Sequence, residues 1–429
     1  YFYSRLQNPT CDTIAAKITE LEGGTAGMLT GSGQAANFFA LFNICNAGDH
    51  IVSSSSIYGG TFNPIHRGHI AAASAAARQL SLDKILLIPD AVPPHKPLPA
   101  GSAGEQDRLE MARLCTGEFP VPAEVSDMEI CRQGASYTCD TLSALREQYP
   151  SDELFLLMGS DMFLSFESWR GPEEICRQAT LAVFSRQSAD ETAAFARQRE
   201  KLETAFHARV VIVENPEVIP VSSTRLRESL PSGEGRAYLT APVYGYILRR
   251  GLYGAHTDLK HLTPEALRPI ALSYLKPKRM PHVLGTEQEA AFLAEKYGAD
   301  VTAARIAALL HDCTKKLDLP QQLSLCRHYG IRLDEMEQSY LKLLHSKTGA
   351  AVAREEFGVS EEIYNAIYYH TTGKADMTLL EKIIYLADYI EPSRSFPGVE
   401  ELRAAVHADL NRGLCLALAD SIEELRGYG

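Results

Sequence analysis

An α/β unit followed by an all-helical unit is the fold class this sequence predicts, with a short truncated α/β piece in front. Three observations carry it. Between residues 58 and 255, short apolar runs alternate with helix-length stretches. From Thr263 onward, apolar residues recur only at helical spacing. Between the two, Gly251 to Lys260 loses strand periodicity and reads as a linker. A chain of 429 residues allows about three domains. We expect them at 1–57, 58–255 and 256–429.

Composition narrows the function classes. Hydrophobic residues make up 45% and charged residues 22%, the balance of a globular protein with ample core. A net charge of −12 argues against a nucleic-acid partner or an anionic membrane surface. No window approaches the ~20 apolar residues of a membrane span, and no leader peptide is visible. The nine cysteines include no C-x-x-C pair, which predicts reduced thiols and a cytoplasmic location. The first residue is Tyr1 rather than Met, so a fragment or a processed product is expected.

Taken in order, Thr10 or Asp12 caps a helix bearing Ile14, Ile18 and Leu21, stopped by Gly23-Gly24. A second helix follows Gly33 and ends near Gly48. Ile51 to Tyr58 is then a strand that enters Gly59-Gly60-Thr61-Phe62-Asn63-Pro64-Ile65-His66-Arg67-Gly68-His69. The two leading glycines let backbone approach a ligand closely. His66 and His69, three apart, can share one face at a helix start, where free N–H groups already favour phosphate. Imidazoles there can donate to charge developing on a transferring phosphoryl group.

Further strands are expected at Lys84 to Pro89, Ala123 to Ile130, Leu154 to Gly159, Leu181 to Phe184 and Val210 to Val213. Helices are expected after His69, from Glu105 to Cys115 and from Tyr137 to Gln148. Such alternation predicts a mostly parallel sheet with ligands at the carboxyl ends of its strands. Ser53-Ser54-Ser55-Ser56 interrupts the first strand, which would normally be continuously apolar. Each buried serine left without a partner would cost about 1–3 kcal/mol.

The stretch 59–69 resembles the H-x-G-H fingerprint of the nucleotidylyltransferase superfamily, in wording that suits its nicotinate-nucleotide adenylyltransferase branch. The phosphopantetheine branch usually shows an Asp before the Pro and a Thr for the first His. Val221-Ser222-Ser223-Thr224-Arg225-Leu226-Arg227 resembles the superfamily's second signature, S-S-T-x-[IL]-R. By this resemblance Gly60, Thr61, Phe62, His66, His69, Asp161, Ser223, Thr224 and Arg227 bind ATP, and His66, His69 and Arg227 carry the catalysis. Tyr137, Thr138 and the lone Trp169 would meet nicotinate mononucleotide, with Lys96 on its phosphate. The resemblance implies transfer of AMP from ATP, with pyrophosphate leaving and a nucleotide-bound Mg²⁺ that needs few protein ligands.

In the helical part, Pro264 suits a first turn, and Leu267, Ile270, Ala271 and Tyr274 share a face. His282, His311, Asp312, His345, His370 and Asp388 each lie in or beside an apolar helical run. Burying imidazole or carboxylate among leucines is costly unless something binds it, and four His with two Asp suit one or two transition metals. The pieces KPKRMPHVLG, LLHDCTKKL, LLHSKTGA, IYYHTTG and IYLADYIEP resemble the HD phosphohydrolases, and among them the symmetrical diadenosine-tetraphosphate hydrolases. That resemblance, over 262–429, implies two metal ions, iron or another transition metal, held by the six residues with Asp312 bridging. It also gives Asp312 and Lys315 roles in cleaving diadenosine tetraphosphate to two ADP.

Residues 1–62 resemble the front of the pyridoxal-phosphate-dependent sulfhydrylases, through Tyr3-Ser4-Arg5 and Ser32-Gly33-Gln34. That family's cofactor lysine lies much further along than this resemblance extends, so no pyridoxal phosphate is expected. The two resemblances overlap at Ile57 to Asn63, which predicts a hybrid chain joined there by recombination or in sequence assembly. The expectation is therefore a bifunctional enzyme acting on small nucleotides, with homo-oligomerisation left open. Alternatives are the same folds acting on other mononucleotides and on guanosine polyphosphates or cyclic dinucleotides, or an HD domain that only senses nucleotides.

Overall fold

The computed structural model describes residues 50–54, 62–93, 98–132, 134–185, 189–214, 219 and 221–427, the first of these through backbone alone. The helices expected before Gly48, together with Gly60, Thr61 and Lys96, lie outside the described residues. So do the motifs at Tyr3 to Arg5 and Ser32 to Gln34.

Among the described residues six strands form one parallel sheet: β1 (His50–Ser54), β2 (Ile85–Ile88), β3 (Ala123–Val125), β4 (Leu154–Met158), β5 (Thr180–Ser185) and β6 (Val210–Glu214). Their order is β3-β2-β1-β4-β5-β6. The order reverses direction between β1 and β4, the crevice where doubly wound sheets bind nucleotides. Ile51 pairs with both Ile85 and Phe155, placing β1 at the centre. The first two residues of the serine run belong to this strand. Ser53 and Ser54 take their places in the ladder opposite Leu87 and Ile88, because pairing uses backbone groups that every residue supplies.

Helices cover both faces: α1 (Arg67–Gln79), α2 (Glu105–Leu114), α3 (Met128–Arg132), α4 (Thr138–Gln148), α5 (Ser160–Leu164), α6 (Pro172–Gln178), α7 (Ala189–Phe206), α8 (Ser223–Ser229) and α9 (Ala241–Arg250). The strand expected at Ala123 to Ile130 is corrected to the short β3 followed by α3. Ser126 N–H makes the last bond to Leu87 O, and Asp127 O then accepts from Cys131 N–H. Ser126 Oγ also takes the Met128 N–H, so a Ser-Asp pair turns strand into helix. Ala72, Ala76, Met111 and Val243 pack one face of the sheet, and Leu142, Phe166, Ile175 and Leu202 the other.

Nine α-helices follow among the described residues: α10 (Pro264–Leu272), α11 (Met280–Tyr297), α12 (Val301–Leu310), α13 (Leu319–His328), α14 (Leu341–Phe357), α15 (Glu361–Tyr369), α16 (Leu379–Ile390), α17 (Val399–Ala408) and α18 (Leu410–Gly427). Thr263 caps α10 by accepting the Ala266 N–H, and the expected face of Leu267, Ile270, Ala271 and Tyr274 is buried. The two parts are firmly joined. Helix α9 crosses α10 so closely that a Cβ on Gly245 would overlap the Pro269 carbonyl. Arg249 lies 4.0 Å above the Tyr274 ring, and Lys316 pairs with Glu110 at 2.5 Å.

Candidate active sites

Phe62, which follows β1 in the chain, is buried and edge-on to His69 at 5.3 Å. His66 is the N-cap of α1, and its N–H donates to His69 Nδ1 at 3.1 Å. That bond leaves Nε2 as the protonated, donating nitrogen of a neutral His69. The two rings stack at 3.7 Å, with Gly68 giving the room: a Cβ there would meet the His66 ring at 3.0 Å. Burial holds His66 down at about 4, so it is a neutral imidazole at physiological pH.

The second signature is brought to the first. Arg227, on α8, donates to Asn63 O at 2.7 Å and to Thr224 Oγ1 at 3.3 Å. Ser222 caps α8 by accepting the Arg225 N–H, and Ser223 and Thr224 open that helix. Asp161 lies exposed just beyond β4. Ser136 Oγ accepts from Ala91 N–H at 3.1 Å, tying the loop after β2 to Tyr137 and Thr138 at the start of α4. Trp169 is buried against Phe166 at 5.3 Å, with only 7% of its surface exposed, while Arg170 stacks over Tyr137 at 4.4 Å.

Sequence reasoning gave no role to Asn63, Tyr253, Arg108 or Asp90. Asn63 accepts from Tyr253 Oη at 2.8 Å and donates to Ser102 Oγ at 2.7 Å. Arg108, wholly buried, pairs with Asp90 at 2.9 Å and bonds Ala91 O, fixing the loop after β2. A charged residue on the buried face of an otherwise amphipathic α2 was the available signal.

In the helical part all six expected ligands converge, drawn from five helices or their ends. His282 Nε2 lies 2.9 Å from Asp388 Oδ1 and 3.4 Å from His311 Nε2. His345 Nε2 lies 3.2 Å from His370 Nε2 and 3.3 Å from Asp312 Oδ1. Asp312 stands between these pairs, its Oδ2 3.5 Å from His311 Nε2 and its Oδ1 3.9 Å from His370 Nε2. Every imidazole turns Nε2 inward and gives Nδ1 to an acceptor: Glu391 for His282, and the carbonyls of Ala308, Lys342 and Ile367 for the others. That uniform orientation is how a protein presents histidines to a metal. The set of four nitrogens and two carboxylates therefore fits one or two transition ions.

The electrostatics agree. Burial lowers His345 and His370 to about 4, keeping both neutral, and lowers His311 as well. Burial opposes ionisation of Asp312, but His311, His345, Lys315 and Arg279 outweigh it and hold the carboxyl well below the usual range. Lys315 is 2.9 Å from His345 Nε2 and 3.6 Å from Asp312 Oδ1. Sequence reasoning missed the carboxylate of Glu391 and two arginines: Arg279 reaches Asp312 at 2.5 Å and Arg394 reaches Asp388 at 2.8 Å. Glu391 lies three residues beyond Asp388, and the need of His282 for an acceptor was the signal. Gly285 admits it, since a Cβ there would collide with Glu391.

Comparison with known families matches these parts separately. A cytidylyltransferase-like family model covers residues 57–229 and an HD-domain model covers 279–393. The Cys/Met-metabolism PLP-dependent enzyme model covers 1–75, further than the residues quoted above. The probable nicotinate-nucleotide adenylyltransferase of Carboxydothermus hydrogenoformans is 36% identical over 46% of this chain and 96% of its own length. That of Gloeobacter violaceus is 42% identical over 46% of this chain and 94% of its own. The symmetrical bis(5'-nucleosyl)-tetraphosphatase of Halalkalibacterium halodurans is 42% identical over 35% of this chain and 83% of its own. No helix among the described residues is long and apolar enough to cross a membrane. The chain is an enzyme that belongs to the nicotinate-nucleotide adenylyltransferase family through its α/β part and to the HD-domain symmetrical bis(5'-nucleosyl)-tetraphosphatases through its helical part.

Proposed function

We propose that the chain performs two nucleotide reactions. Residues 58–255 transfer AMP from ATP to nicotinate mononucleotide, giving nicotinic acid adenine dinucleotide and pyrophosphate. Residues 256–429 hydrolyse diadenosine tetraphosphate to two ADP.

The observation that supports the first reaction is the bond from Arg227 to Asn63 O, which joins the two phosphate-handling segments. A nicotinate mononucleotide phosphate oxygen attacks the α-phosphorus of ATP, the bond to the β-phosphate oxygen breaks, and pyrophosphate leaves. His69 Nε2–H donates to the α-phosphate, while neutral His66 adds a close dipole without charge repulsion. Ser223, Thr224 and the first amides of α8 hold the β- and γ-phosphates, and Arg227 neutralises them. Tyr137, Thr138 and Trp169 receive the nicotinate end. A nucleotide-bound Mg²⁺ supplies charge neutralisation.

For the second reaction the supporting observation is the convergence of His282, His311, Asp312, His345, His370 and Asp388. These residues would hold the metal, which supplies Lewis acidity and a hydroxide at neutral pH. Lys315 and Arg279 line the ligand cluster and would steady the polyphosphate. The test is direct. The full chain is assayed with ATP plus nicotinate mononucleotide, and separately with diadenosine tetraphosphate. No dinucleotide in the first assay sinks the first assignment, and AMP plus ATP in the second sinks symmetrical cleavage.

A further inference from the structure

Tyr253 stands in the segment that leads out of α9, two residues past its Gly251 cap. Its backbone is left-handed, with φ 56° and ψ 24°, a conformation costly for a residue with a large side chain. Glycine would relieve that strain, and Gly251 and Gly254 on either side take the same region freely. What a tyrosine adds is its hydroxyl, which donates to Asn63 Oδ1 at 2.8 Å across 190 positions of chain. Asn63 is 2% exposed and has no slack. Its Oδ1 also accepts from Ala103 N–H at 3.2 Å, its Nδ2 donates to Ser102, and its main-chain oxygen takes the Arg227 guanidinium.

We propose that Tyr253 is a positioning residue for adenylyl transfer, acting through Asn63 on Arg227. The inference rests on the reaction proposed above. With the hydroxyl gone, the Asn63 amide keeps only the longer Ala103 bond on its oxygen. The carbonyl that fixes Arg227 is then free to drift, and the guanidinium loses its aim on the departing phosphates. Burial raises the Tyr253 hydroxyl far above its ordinary ionisation, so it remains a donor at every working pH. The turn is held from behind as well, because α9 is locked to α10 at Gly245 and Ala255 is buried. Docking of the helical part thereby helps to hold the phosphate-handling loop of the other site.

Tyr253→Phe keeps the ring and removes the bond. One lost hydrogen bond corresponds to a fall of about 3- to 10-fold in kcat for dinucleotide formation. The KM for ATP should change less than about two-fold, with tetraphosphate hydrolysis unchanged. Adding Tyr253→Phe to Asn63→Ala should cost nothing further, since the path is already cut. If Asn63→Ala fails to fold, Arg227→Lys serves the same cycle. An active parent with an unaffected Tyr253→Phe, or effects that multiply in the double variant, overturns this inference alone. A parent inactive with ATP and nicotinate mononucleotide overturns the reaction assignment and the inference together.

Discussion

In the α/β part, the groups expected to meet substrate come from loops at strand ends and from the first turns of α1, α4 and α8. In the helical part they come from α11, α14, α16 and the ends of α12 and α15, with side chains converging on one point. In the reaction proposed above, the first design would use backbone amides, a guanidinium and neutral imidazoles, so no single group would carry it. The second would concentrate its chemistry in Asp312, which faces both halves of the expected ligand set. Loss of one residue should therefore be graded in the first site and all-or-none in the second.

The largest effect tests that contrast. Asp312→Ala should abolish tetraphosphate hydrolysis and bound metal, measured by product analysis and metal content, and chelation of the parent should do the same. Adenylyl transfer should continue unchanged. Retained hydrolysis in metal-free protein would break the comparison. Next in size, His69→Ala should slow dinucleotide formation on the order of 10²-fold, by analogy with removing one oxyanion donor. Hydrolysis should be untouched, and an unaltered turnover would remove His69 from the chemistry.

The contrast also explains what could be read from the chain alone. The six residues that converge were legible because each is a polar residue in or beside an apolar helical run, a local anomaly that needs no tertiary information. The alternation of strands and helices was legible for the same reason. The supporting groups were not. Glu391 serves His282 from 109 positions away, and Tyr253 serves Asn63 from 190, so no local pattern announces either. The β3 region misled because Met128 to Ile130 is apolar enough for a strand, whereas Ser126 and Asp127 begin a helix there. Trp169, expected at the nicotinate end, packs against Phe166 and keeps 7% of its surface exposed.

A smaller effect sharpens the metal site. Glu391→Ala should weaken metal affinity by about 10- to 100-fold, as loss of an orienting carboxylate does, without abolishing binding. Titration of the apo-protein with the metal would read it. An affinity equal to the parent's would mean that His282 needs no carboxylate to hold its ring.

The smallest effect belongs to His66, and its sign follows from burial. In the unfolded chain this imidazole titrates near its ordinary 6.5, whereas burial lowers it to about 4 in the fold. Between those values the unfolded chain binds more protons than the folded one, so stability falls as pH falls. The contribution is fully present above pH 6.5 and is exhausted once pH passes below 4. Over the first unit, from pH 7 to 6, the loss is on the order of 1 kcal/mol. Replacing His66 with Asn removes the titration while keeping a polar side chain of similar reach. Urea unfolding at pH 7 and at pH 6 should then show a smaller drop for His66→Asn than for the parent, whatever the variant's absolute stability. Equal drops would mean that the His66 ring takes up its proton in the folded state, and that the first site carries a charge where its chemistry is read here as neutral.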